Sequence, residues 1–200
     1  MSITAPFKQL ITGSFPSGGR SSANHPPRLI CDWSDSKLVF TEIDAASSGQ
    51  LTIQNLFHLA RPASPEEAAK SLPSLLVSRG IKAKQVRIAA KGYGVVFRFI
   101  QFPKMNPGEL KSALTFEAEK YIPFKANEVV LDYCILDSDA AMTGGNKGMN
   151  LLLIAVKNDE IYPILRLLQA AGLEVDLVDA NALAFLNAVE YLYKDDYAQG

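Results

Sequence analysis

The densest run of chemically able side chains is "CDWSDSK", residues 31–37, which sets Asp32, Ser34, Ser36 and Lys37 close together between two apolar stretches. A strand ending at an aspartate, a tight hydroxyl-rich turn and a second strand make a hairpin whose backbone N–H groups and hydroxyls can wrap a phosphate. The aspartate of such a turn can hold a metal ion through water. Serine and aspartate are also turn formers in their own right, so a plain hairpin turn is the competing reading.

A second stretch, "ALTFEAEKYIPF", residues 113–124, raises a different question. At about 100° per residue, Leu110, Ala113, Leu114, Ala118, Tyr121 and Ile122 share one helical face, and Glu117 projects near its middle. Phe116 points the other way, among Ser112, Glu119 and Lys120. A carboxylate directed inward must be paired or hydrogen-bonded, while a phenyl ring directed outward marks an interface. The alternative is a Glu117 bonded to backbone amides at a seam between subdomains, with Phe116 packed beneath a neighbouring loop.

Other chemistries find little support. The two histidines, His25 and His58, have no second ligand at metal spacing. No G-x-S-x-G elbow occurs, and "GGNKG" lacks the spacing of a phosphate loop and reads as an ordinary loop. Cys31 and Cys134 are the only cysteines, both in strand-like apolar surroundings, and are expected to be buried thiols in a reducing compartment. The net charge is −1 and Lys and Arg form no run, which excludes the footprint of a nucleic-acid binder. The longest apolar run, Leu151 to Val156, is far short of the roughly 20 residues that span a bilayer. No secretory signal is visible at the N-terminus.

These stretches need elements to hold them. With 200 residues, 48% of them hydrophobic, the chain can bury one large core or two small ones. Residues 1–27, rich in Ser, Gly and Pro, read as a disordered arm. The apolar runs Leu29–Cys31, Leu38–Ile43 and "LTIQNLFHLA" predict a β-meander. Ser64-Pro65-Glu66-Glu67 caps a helix that Gly80 closes and Pro73 should kink or divide. "KQVRIAA" and "YGVVFRFIQF" predict strands, and Asn106-Pro107-Gly108-Glu109 opens the helix that Pro123 ends. The strand "EVVLDYCIL", a mobile hairpin loop "DSDAAMTGGNKG" and the buried strand "MNLLLIAV" follow. Asn158 or Asp159 can cap "EIYPILRLLQAA", closed by Gly172, before a last strand "LEVDLVDA" and a last helix "NALAFLNAVEYLY". Strands alternating with helices after a meander indicate an α/β or α+β architecture.

"FRFIQFPKMNPGELKSALTFEAEKYIPFKANEVVLDYCIL", followed by "NLLLIAVKNDEIYPILRLLQAAGLEVDLVDANALA", resembles the PilM family of type IV pilus assembly proteins. The specific parts are "PKM" before the helix, "FEAEKYIPF" at its end, "EVVLDY" in the next strand, and "AAGLEVDLVDANALA" with its Gly172 and Asp179. The resemblance covers about residues 28–190. It implies an α/β fold of actin-like (ribonuclease H-like) type, related to the cell-division protein FtsA, with a small α/β subdomain inserted into the first lobe. Residues 28–95 and 175–200 would form that lobe, and 96–174 the insertion.

The resemblance further implies a cytoplasmic protein that takes the N-terminal tail of a PilN-like inner-membrane protein in a groove between these two units, alongside other pilus assembly proteins. Phe116, Glu117, Tyr121, Pro123 and Phe124 would shape that groove. Asp32, Ser34, Ser36 and Lys37 correspond to the family's first phosphate-binding loop, with ATP and Mg as the implied cofactors. Ser34 stands where the family's loop normally has Gly, which gives the closest backbone approach to a phosphate. The second lobe, with its adenosine site, should begin where this chain ends. The expectation is therefore a recruiting protein without enzymatic activity and without firm nucleotide binding. The rival readings are the cytoplasmic domain of the L-type component of type II secretion and an ATPase or phosphotransferase of the actin and sugar-kinase clan.

Overall fold

The computed structural model describes residues 28–45, 51–136 and 148–193. The arm expected over residues 1–27 lies outside them, as does the expected hairpin loop apart from Gly148. The described chain forms two compact units, one running up to Ala90 and resuming at Tyr162, the other Lys91–Ile161.

The first unit opens with the predicted meander: β1 (Arg28–Trp33), β2 (Lys37–Ala45) and β3 (Leu51–Ala60) pair antiparallel. Helix α1 (Pro65–Ser78) then returns the chain so that β4 (Gln85–Ala90) lies parallel to β1. A parallel pair needs such a crossover, because a tight turn can only reverse the chain. Strand β8 (Glu174–Ala180) adds parallel to β4, giving the order β3-β2-β1-β4-β8. Leu29, Cys31 and Trp33 of β1 and Val86, Ile88 and Ala90 of β4 alternate into the core, the period expected of a strand with one buried face.

Helix α1 buries Ala68, Leu72 and Leu76, one residue per turn. Its start is a reciprocal cap: the Ser64 hydroxyl accepts from the Glu67 N–H at 3.3 Å and the Glu67 carboxylate accepts from the Ala63 N–H at 2.7 Å. Pro73 lies inside an undivided helix, so it does not split the element as its sequence position suggests. Gly80 closes it at φ 74°, in the left-handed region that side chains disfavour. The meander holds one buried carboxylate, Glu42, which accepts from the Asn55 side-chain N–H at 2.6 Å and so is hydrogen-bonded rather than stranded.

The second unit is a three-stranded antiparallel sheet, β5 (Val95–Pro103), β7 (Gly148–Lys157) and β6 (Val129–Leu136), in that order. Helix α2 (Pro107–Glu117) covers one face, burying Leu110 and Leu114, with Ala118 and Ile122 just beyond its end, against Ile100, Phe102, Met149, Leu151, Leu153 and Ala155. A full capping box starts α2, with Asn106 accepting from the Glu109 N–H at 2.9 Å and Glu109 accepting from the Asn106 N–H at 3.3 Å.

Helix α3 (Asn158–Ala170) begins at the end of the second unit's range and continues into the first, burying Ile161, Ile164, Leu165, Leu167 and Leu168. Gly172 ends it at φ 78°. The Asn158 side chain does not cap it as expected; its amide donates to the Asn127 carbonyl at 2.9 Å. Helix α4 (Asn181–Leu192) closes the described chain. Of the two cysteines, Cys31 is buried as expected, whereas Cys134 is half-exposed, and no disulfide joins them.

Candidate functional site

The turn between β1 and β2 lies where "CDWSDSK" predicts it, and its hydrogen bonds close upon themselves. The Ser34 N–H donates to the Lys37 carbonyl at 2.9 Å, and the Lys37 N–H donates to the Ser34 hydroxyl oxygen at 3.1 Å. Two amides that a phosphate cradle would use are thereby taken by the turn itself. Arg61, which sequence reasoning passed over, ties the turn to the end of β3. Its N–H donates to the Ser36 carbonyl at 2.9 Å, its guanidinium donates to the Ser34 carbonyl at 3.3 Å, and the same cation sits 5.9 Å from the Trp33 ring centroid. Asp35 reaches Arg61 only at 4.0 Å and is fully exposed, so that pair contributes little. Asp32, Ser36 and Lys37 are exposed, and Ser34 is half-buried. This is the geometry of a hairpin turn whose two amides at Ser34 and Lys37 are bonded within the turn.

The end of α2 has a different character. Phe116 is 86% exposed, the outward ring that the helical projection predicts. Ile122 is buried and Tyr121 half-buried against the sheet core, also as the projection has them. Glu117 departs from it. Its side chain is 41% exposed and pairs with Lys120 at 3.2 Å, on the surface rather than inward. The reason lies in which row packs: burial follows Leu110, Leu114 and Ala118 at spacing four, and each such step drifts about 40° around the helix. Glu117, about 60° behind the middle of that row, falls on its flank.

The α-helix also stops at Glu117, and Ala118–Lys120 tighten into a 3-10 turn. Phe124, beyond the helix end, is half-buried and packs on the sheet core, with the Lys157 ammonium 5.7 Å from its ring centroid. Pro123 is exposed. Three ties hold this corner, none of them visible as a local motif. Arg98 Nε donates to the Tyr121 carbonyl at 3.1 Å, the Glu119 carboxylate accepts from the Ala126 N–H at 2.9 Å, and Lys157 covers Phe124. The corner is thus tied to the sheet behind, with Phe116 and Pro123 exposed on it. Among the described residues no group of His, Cys, Asp and Glu side chains could hold a metal ion.

A meander, a crossover helix and parallel strands, with a small sheet-and-helix unit set between the strands of the first, define the actin-like class of protein. The family model for type IV pilus assembly protein PilM matches residues 55–197, and the chain belongs to that family. It is similar to a chain of a PilM–PilN type IV pilus biogenesis complex, with a TM-score of 0.65 and 26% identity over 85% of its own length. It spans about half, 51%, of that chain. The cytoplasmic domain of EpsL, an inner-membrane component of the type II secretion system of Vibrio cholerae, is matched at 16% identity and a TM-score of 0.49, over 80% of this chain and 59% of that one. No described helix is long and apolar enough to cross a membrane.

Asp179, in the motif "VDANALA", ends β8 half-buried, its carboxylate accepting from the Ala180 N–H at 2.7 Å. Burial pushes its pKa up, and the amide hydrogen bond offsets this only in part. A raised native pKa means that the folded chain holds the proton more tightly than the unfolded one. Its contribution to stability is then fullest below the ordinary value of 3.8 and is lost as pH rises through the native value. Asp179→Asn keeps an acceptor for the Ala180 N–H without the buried charge. Urea denaturation should show this variant more stable than the wild type near neutrality and no more stable in strong acid; a neutral-pH loss would contradict the assignment.

The α2 corner divides its side chains into core and surface. Ile122→Ala should lower unfolding free energy by about 2–5 kcal/mol, whereas Phe116→Ala should change it by no more than about 0.5 kcal/mol. Denaturant midpoints of the two variants check this, and a Phe116→Ala loss as large as that of Ile122→Ala would make the ring core.

Proposed function

We propose that this chain serves type IV pilus assembly as a recruiting protein, binding the N-terminal tail of a PilN-like inner-membrane partner with the corner at the end of α2. The observation that carries this reading is Phe116, a phenyl ring 86% exposed on a helix whose opposite face is fully used in the core. An aromatic side chain left in water beside an anchored corner is the type of residue that dominates binding energy when a partner covers it. Membership of the PilM family and likeness to a chain of a PilM–PilN complex support the choice of partner. Pro123 adds exposed apolar surface at the same corner, Tyr121 and Phe124 pack it on the sheet core, and the Glu117–Lys120 pair is its surface ion pair. The reading places the protein at the inner face of the inner membrane, held there by its partner, with no catalytic step assigned to it.

The test is a calorimetric titration with synthetic N-terminal tail peptides of PilN-like proteins. Phe116→Ala should weaken binding by about 1–2 kcal/mol or more while leaving the denaturation midpoint in place. Unchanged affinity in a folded Phe116→Ala protein would move the site elsewhere.

Nucleotide is no part of the reading. The self-satisfied turn at Ser34 and Lys37 supports weak or negligible ATP binding by this chain. Titration with ATP and Mg should give no measurable heat at concentrations where a nucleotide-binding protein saturates. Tight binding lost on Asp32→Ala would overturn that expectation.

A further inference from the structure

Strand β3 is the outermost strand of the first unit's sheet, and among the described residues nothing pairs with its outer side. The direction of its backbone groups can be derived. The Arg61 N–H, just past the strand, donates inward to the Ser36 carbonyl. Antiparallel pairs alternate in whether they exchange hydrogen bonds, so Leu59, Phe57 and Asn55, set opposite Leu38, Phe40 and Glu42, also turn their amides toward β2. The N–H and C=O groups of Leu56, His58 and Ala60 therefore point outward. The side chains of the same three residues are exposed, with Leu56 at 63%.

Native edge strands are blunted by lysine, proline, shortness or a bulge. Here Asn55–Ala60, "NLFHLA", holds no charge and no proline. The register shift between Glu42 and Ile43 leaves Gln54 as an extra residue at one end of the run, and Pro62 interrupts the donors at the other. Between them lies a regular run, Asn55–Arg61, with His58 at its centre.

We propose that β3 is a homodimerisation edge, on which a second copy of this chain adds its own β3 antiparallel about a two-fold axis at His58. An isologous pairing sets the strand against its own reversed sequence. A charged strand would meet like charges directly opposite or diagonally; Asn55–Ala60 holds none, and the axis sets Arg61 at the end of the run opposite the uncharged Asn55 of the second copy. The same axis sets Leu56 opposite the partner copy's Ala60, a large side chain against a small one. The three outward residues of each copy meet as hydrogen-bonded pairs, and the two five-stranded sheets become one. The α2 corner belongs to the other unit.

Sedimentation velocity across a concentration series, with amide hydrogen exchange at both ends of it, tests the proposal. The wild type should pass from monomer to dimer, and the amides of Leu56, His58 and Ala60 should gain protection in the dimer. Leu56→Lys sets a charge at an exposed position and should raise the dimer dissociation constant about tenfold or more, with the thermal midpoint unchanged at concentrations where both proteins are monomeric. Should that variant fail to fold, His58→Pro removes only an outward-facing N–H and should likewise abolish the dimer. A chain that stays monomeric throughout, or a dimer that survives either folded variant without protection at those amides, overturns the proposal.

Discussion

The second unit depends on a single strand. Leu151–Val156 of β7 are all buried, with β5 on one side and β6 on the other, so six consecutive apolar residues leave water together. A strand buried on both faces reads as a continuous hydrophobic run rather than an alternation. One face of it, Leu151, Leu153 and Ala155, is the floor on which α2 lies. That floor sets which row of α2 is buried, and the row in turn sets what the helix must leave outside. Phe116 is in solvent because Leu110, Leu114 and Ala118 have taken the inward positions, not because the helix is short of core-facing room.

The corner beyond α2 shows the same hierarchy. With Ala118 and Ile122 fixed in the core, the chain between them has no freedom to continue as an α-helix into Pro123, and it tightens instead. Arg98 then meets the Tyr121 carbonyl, one of the groups that a helix end leaves without an intrahelical partner. Glu119 does the same for the Ala126 N–H of the following turn. Packing comes first and the polar ties follow, so the corner's shape is determined from within, and its outer surface is left for the ring of Phe116, Pro123 and the Glu117–Lys120 pair.

Much of this was legible in the chain. The capping residues Ser64 and Asn106, the closing glycines Gly80 and Gly172, and the run "LLLIAV" each carry a local rule strong enough to place an element. The outward direction of Phe116 followed from helical geometry alone. Glu117 did not, because a wheel gives relative angles but not the centre of the buried stripe, and a shift of half a residue's angle moves a flank position from inside to outside. The half-buried position of Phe124 was not legible because it lies past the helix end, where no period applies and the chain path is set by the sheet. Arg61 and Arg98 were invisible for a third reason: their partners are brought near only by strand pairing and crossover, which no local pattern encodes. The PilM-like motifs carried the family where periodicity could give only the fold class.

The two stretches in which the sequence places chemistry differ in how far their own groups satisfy one another. At the β1–β2 turn the polar groups that would meet a ligand already meet each other: Ser34 with Lys37, and Arg61 with Ser34, Ser36 and Trp33. A phosphate would have to displace bonds that the folded turn makes without it, and the exchange returns only the difference between two sets of hydrogen bonds. At the α2 corner the reverse holds. Among the described residues Phe116 has no comparable arrangement, so covering it removes apolar area from water with nothing of that kind to be broken first. The surface with an unmet requirement is the one on which binding energy can be gained, and of these two surfaces that is the apolar one at the end of α2.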